Sequence, residues 1–134
     1  MARSRSRVTR GMLFQGRVYT PTTPANINVG DVVANDPSNV GKVIRADASD
    51  ATKMPIIGVV TAKASSGKVT VEGRHGLAIT KTGWSWTPDS ALYVSTTPGA
   101  MVHTPDAGTV IVQRVGFATS ATSIVVAIHA EVEL

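Results

Sequence analysis

The sequence contains no cysteine, so disulfide staples, thiolate nucleophiles and Cys-based zinc sites are all excluded. Leucine is scarce at four residues, and aromatics amount to two each of Trp, Tyr and Phe. A helical bundle needs Leu, Ala and Glu in quantity, so this composition argues against one. No window approaches the ~18 apolar residues that a membrane-spanning helix requires, and no membrane partner is expected. The basic start is not followed by an apolar stretch, so it does not read as a secretory signal. No βαβ rhythm is present, which argues against a parallel nucleotide-binding sheet.

What the chain does contain is β-branched side chains. Val, Thr and Ile make up 43 of its 134 residues. Such side chains are stiff at χ1 and fit a pleated, half-buried surface. The length suits one domain with a core large enough to stand without metals or crosslinks. From Ile27 onward, about ten short apolar or alternating runs are separated by turn residues at roughly 8–12-residue spacing. The expected fold is all-β: a small antiparallel β-sandwich or β-barrel, jelly-roll or β-tulip-like, with an extended N-terminal arm. Pro55 to Thr61 reads as a strand buried on both faces. Ser65-Ser66-Gly67-Lys68 and Thr97-Pro98-Gly99 read as hairpin turns. Residues 47–54 hold the one helical turn expected, capped by Asp47 or Ser49.

The net charge of +4 is unevenly placed. Arg3, Arg5, Arg7, Arg10 and Arg17 give residues 1–17 a charge of +5 with no acid, and residues 18–134 carry −1. The sequence divides into a basic arm over 1–20, of which residues 13–20 read as a first strand, and an all-β domain over 21–134. Alternating Arg and Ser bury too little surface to offset the entropy of ordering alone. The arm therefore reads as a segment that docks on an acidic protein surface, as a solubilising tail, or as a nucleic-acid contact. Nucleic acid is the least favoured, because no aromatic is interleaved for base stacking. Arg pairs bidentately with carboxylates, which favours protein docking.

Catalytic patterns do not emerge. His75, His103 and His129 form no HxH or HExxH spacing. Asp47 and Asp50 fit a solvated, capping loop better than an acid–base pair. No serine lies in a G-x-S-x-G elbow, and Gly73-Arg74-His75-Gly76 lacks the length and Lys-Ser/Thr of a phosphate loop. No enzyme activity, cofactor, metal site or small-molecule substrate is expected. Trp84 and Trp86, two apart, would share one face of a strand. They are candidates for the core, for a subunit interface, or for a ligand platform.

The order of segments in the second half resembles a known family. It runs from Pro55-Ile56-Ile57-Gly58-Val59-Val60 to Val69-Thr70-Val71-Glu72-Gly73. It continues through Leu92-Tyr93-Val94-Ser95 and Pro98-Gly99-Ala100-Met101-Val102. It ends with Gln113-Arg114-Val115-Gly116-Phe117-Ala118 and Ser123-Ile124-Val125-Val126-Ala127-Ile128. Over about residues 27–130 this resembles tailed-bacteriophage capsid decoration (cement) and head-fibre proteins. The resemblance implies a structural virion protein on the outer surface of the capsid, homotrimeric, that cements neighbouring major capsid protein subunits. It also implies an N-terminal segment that contacts the capsid lattice, a role in which the five arginines fit. A carbohydrate- or host-surface-binding β module, such as a head fibre or tail-associated adhesin using Trp84 and Trp86, is the alternative.

Overall fold

The computed structural model describes residues 16–134. The fold is all-β, as the composition predicts, and contains twelve strands among the described residues. The first five are β1 (Arg17–Pro21), β2 (Val32–Asn35), β3 (Lys42–Arg45), β4 (Ile56–Lys63) and β5 (Val69–Glu72). They close into a barrel in the order β1-β3-β2-β4-β5. Five more, β6 (Ala78–Thr80), β7 (Ala91–Val94), β8 (Met101–Val102), β10 (Arg114–Ala118) and β11 (Ser123–Val126), form an open sheet ordered β6-β11-β10-β7-β8. The short β9 (Ile111–Val112) and β12 (Val132–Glu133) pair with each other. Every pairing is antiparallel except β1 with β3.

Strand periodicity explains how the two halves join. In β2, Val32 and Val33 point to opposite faces. Val33 packs with Ile27, Val43, Val60, Val69 and Val71, which draws the barrel strands around one interior cluster. Val32 joins a second cluster with Val59 and Ile56 of β4 and with Leu92, Val115 and Ile124 of the open sheet. The barrel thus presents a buried outer face to the sheet. The apolar run around Pro55–Thr61 contributes to both clusters, as expected of a strand covered on two sides.

The turns follow local chemistry. Gly99 has φ +79°, and Ala100 N–H donates to Thr97 O at 3.0 Å, giving the type II turn between β7 and β8. Gly67 at φ +93° closes the β4–β5 hairpin, with Gly67 N–H donating to Ala64 O. The single turn expected in residues 47–54 is a 3-10 turn at Ala51–Lys53, capped by Asp50 rather than by Asp47 or Ser49. Asp50 accepts from Thr52 N–H at 3.0 Å, and Asp47 instead accepts from Ser49 N–H at 2.8 Å. Two consecutive Asx turns use up the acid that would have capped a longer helix.

Residues 13–20, at the end of the arm, read as a first strand, and Arg17, Val18 and Tyr19 do pair with Val71, Thr70 and Val69 of β5. Thr20 and Pro21 pair with Lys42 and Val43 of β3. The barrel cannot close without this strand, so Arg17–Pro21 belong to the body.

Asp36 holds the end of β1 to the end of β2. Its carboxylate accepts from the Thr22 hydroxyl, from the Asn39 amide at 2.9 Å and from Ser38 N–H at 2.8 Å. The Thr22 bond first, then those from Asn39 and Ser38, hold its pKa down to about 2. A folded pKa below the unfolded one adds stability that is present above about pH 4 and lost as pH falls toward 2. Asp36→Asn is therefore expected to lower stability at neutral pH and to flatten this part of the acid limb. Denaturant midpoints measured for both proteins from neutral to acid pH check it; parallel curves would contradict the role.

Candidate interaction face

The segment between β6 and β7 carries Trp84 and Trp86. It is a loop, not the short extended strand that the alternation suggests. The loop is held from below by the turn joining β10 and β11. Lys81 N–H donates to Thr122 O at 3.0 Å, and Trp86 N–H donates to Ala121 O at 2.8 Å. Asp89 N–H and Ala118 N–H close its far end through Ala118 O and Ser90 O. These backbone bonds satisfy groups that a strand ladder would otherwise satisfy.

The indole centroids lie 5.7 Å apart with the planes tilted by 50°. Trp86 also meets the edge of His103, at 5.4 Å and 83°. Both indoles are half-buried against the inter-sheet cluster. The tilt gives them no shared flat surface on which a sugar ring could stack. Trp86 Nε1 is buried without a hydrogen-bond partner, a cost that the packing of its ring offsets. The backbone partners of His103 suit its Nδ1–H tautomer. Nδ1 donates to Ala91 O at 2.9 Å, and Nε2 accepts from Thr87 N–H at 3.0 Å. The cluster Trp84–Trp86–His103 fastens the loop to β7 and β8 across the top of the open sheet.

The barrel meets this loop at Gly30. A Cβ there would lie 2.8 Å from Lys81 Cδ and 3.2 Å from Trp84 Cζ2, and φ is +96°. Only glycine allows that close approach. Next to it, burial raises the pKa of Asp31, against the Asn28 N–H bond at 2.9 Å and the charges of Arg45, Lys81 and Lys63.

Of the five arm arginines, Arg17 lies exposed in β1 opposite Val71. Arg3, Arg5, Arg7 and Arg10 lie outside the described residues. The chain enters the barrel at Gly16, where a Cβ would press into Glu72 Cγ and come within 2.8 Å of Val71 O. His75 and His129 are exposed and far from His103 in sequence. Among the described residues, no three His, Asp or Glu side chains converge as a metal-binding group.

Sequence reasoning passed over two polar groups, the buried Gln113 and the half-buried Asp106. Gln113 Oε1 accepts from Ile56 N–H at 2.9 Å, and its Nε2 donates to His129 O at 2.8 Å. It ties β4 of the barrel to the chain beyond β11. Asp106 receives the Ser95 hydroxyl and Thr96 N–H, which lower its pKa. A lone Gln inside the run Ile111–Ala118 was the one available signal for the first.

The geometry defines an all-β body with a closed barrel, an open sheet and an aromatic-pinned loop where they meet. Neither family models, nor curated proteins, nor solved structures provide a match to this chain.

Proposed function

We propose that this chain is a structural accessory protein on the outside of a tailed-phage head, cementing neighbouring copies of the major capsid protein. The observation that supports the reading is where the segments resembling decoration proteins fall. They coincide in order with β4, β5, the β7–β8 hairpin, β10 and β11. Their glycines occupy positions with no room for a side chain. A Cβ at Gly58 would lie 2.6 Å from Glu72 O, and one at Gly73 would press into Ile57 O. The segments that carry the resemblance therefore fall largely on the strands that frame the body.

In this reading the body is the rigid part, and the basic segment before Gly16 is the adhesive one. Its four arginines pair with carboxylates on the head. Exposed pairs contribute about 0.5 kcal/mol each, so four amount to about thirtyfold in affinity. A homotrimer would multiply that effect through avidity.

Removing residues 1–12 tests the reading, since β1 and the barrel remain whole. The shortened chain is expected to keep its far-ultraviolet spectrum and melting temperature. Its binding to undecorated heads should weaken about thirtyfold per arm, with less protection of the heads against heat. Equal decoration by both forms would remove the arm from the account.

A further inference from the structure

His103 bridges the end of β8 to the loop that carries both tryptophans. Its Nδ1 lies 2.9 Å from Ala91 O, and its Nε2 lies 3.0 Å from Thr87 N. A carbonyl can only accept and a backbone N–H can only donate. The two partners therefore require a hydrogen on Nδ1 and a free lone pair on Nε2. The bridge holds only while the imidazole is neutral. A second proton, on Nε2, sets one N–H against another and turns an attraction into a repulsion. Histidine is the side chain that takes up such a proton between about pH 8 and 5. Thr87 is exposed and His103 half-buried, so a proton reaches Nε2 without unfolding.

The segment that this bond holds is poised to move. Between the bonds of Trp86 N–H to Ala121 O and of Asp89 N–H to Ala118 O, Thr87 and Pro88 make no other hydrogen bond among the described residues. Asp89 takes φ +63°, a left-handed conformation that is costly outside glycine. Trp86 Nε1 is buried without a partner and regains one from water once the loop opens. Both costs weigh against the closed form. The titratable groups on the surrounding elements are Lys81 and Asp89 of the loop, Tyr93 of β7, Arg114 of β10 and Asp106 beyond β8; the β10–β11 turn has none. Lys81 lies over the Trp84 ring, 6.0 Å from its centre, and Asp106 is engaged by Ser95 and Thr96. No carboxylate forms an ion pair with His103 among the described residues, so none holds the protonated ring in place.

We infer that protonation of His103 unlatches the loop at Thr87 and exposes the Trp86 ring, while the barrel and the open sheet stay folded. The loop is thus an acid-sensitive element built on one hydrogen bond. Its other backbone anchors, on Ala118, Ala121 and Thr122, contain no titratable group and keep it attached to the body. The inference stands apart from the capsid reading, because it needs only this chain.

Amide exchange and acrylamide quenching of the full chain, measured from about pH 8 to 5, test it. Both tryptophans of the chain lie in this loop, so their fluorescence reports on it alone. Losing one hydrogen bond of ordinary strength changes a population about fivefold. The protection factor of the Thr87 amide is therefore expected to fall about fivefold on acidification, and quenching to rise. The amides of β10, at the centre of the sheet, and the far-ultraviolet spectrum should stay constant. His103→Gln carries an acceptor and a donor at any pH and should abolish the response, whereas His75→Gln and His129→Gln should keep it. In the wild type, unchanged Thr87 protection or unchanged quenching overturns the inference. So does a response that persists in His103→Gln, or a loss of protection that β10 shares, since the whole sheet would then be opening.

Discussion

Gly116→Ala is expected to destabilise the protein by about 3 kcal/mol, at the upper end of what overpacking usually costs. Gly116 lies in the middle of β10, paired with Val126 on one side and Leu92 on the other. A Cβ there would press into Val125 O, 3.0 Å from Val125 C and 3.1 Å from Ala127 N. All three are backbone atoms, so no side-chain rotation relieves the clash. The strands cannot part easily either. Val115, the extra residue of a bulge against β7, is fully buried, and its carbonyl accepts from Ala127 N–H at 2.8 Å. Domains of this size have only about 5–15 kcal/mol of stability, so the loss is a large share. Thermal melting should fall by roughly 10 °C. A change within about 0.5 kcal/mol would mean that β10 and β11 are not packed as described.

Ile124→Ala is expected to cost about 2–5 kcal/mol. Ile124 is fully buried in β11, facing Ile79 on one side and Ala118 on the other. It belongs to the cluster that joins the open sheet to the outer face of the barrel. Truncation removes apolar contact and leaves a cavity between two backbone-paired layers that cannot collapse far. Val40, fully exposed in the β2–β3 turn, is the control. Val40→Ala should leave the denaturant midpoint nearly unchanged. Similar losses at both positions would contradict the placement of the core.

The parts of this fold that sequence reading reached are those decided within a few residues. Thr97-Pro98-Gly99-Ala100 forms its turn because Pro presets one φ and Gly accepts the positive one. The strand through Pro55–Thr61 is apolar on both sides because barrel and sheet both cover it. Distant pairings were not legible. The parallel contact of Thr20 with Lys42 closes the barrel, and no local pattern encodes it. A strand over residues 13–20 was legible, and β1 runs through Arg17–Pro21, but its partners β3 and β5 were not.

The candidate site shows the same division. Trp84 and Trp86 are neighbours in sequence and in space, with ring centroids 5.7 Å apart. Their two-residue spacing suggested one strand face, and the carbonyls of Ala121 and Thr122 make the segment a loop instead. His103 completes the cluster from a different strand end, a contact without any sequence signature. Gln113 is similar: its partner Ile56 lies 57 residues away, so its role depends on the assembled fold.

We propose that this chain belongs to the outer surface of a viral head. The direct measurement is the protein composition of heads purified on a density gradient from the source of the chain. The account predicts that the chain sediments with the heads at a fixed ratio to the major capsid protein, and that stripping it lowers the temperature at which heads break. Heads that lack the chain, or carry it at no fixed ratio, would contradict the account.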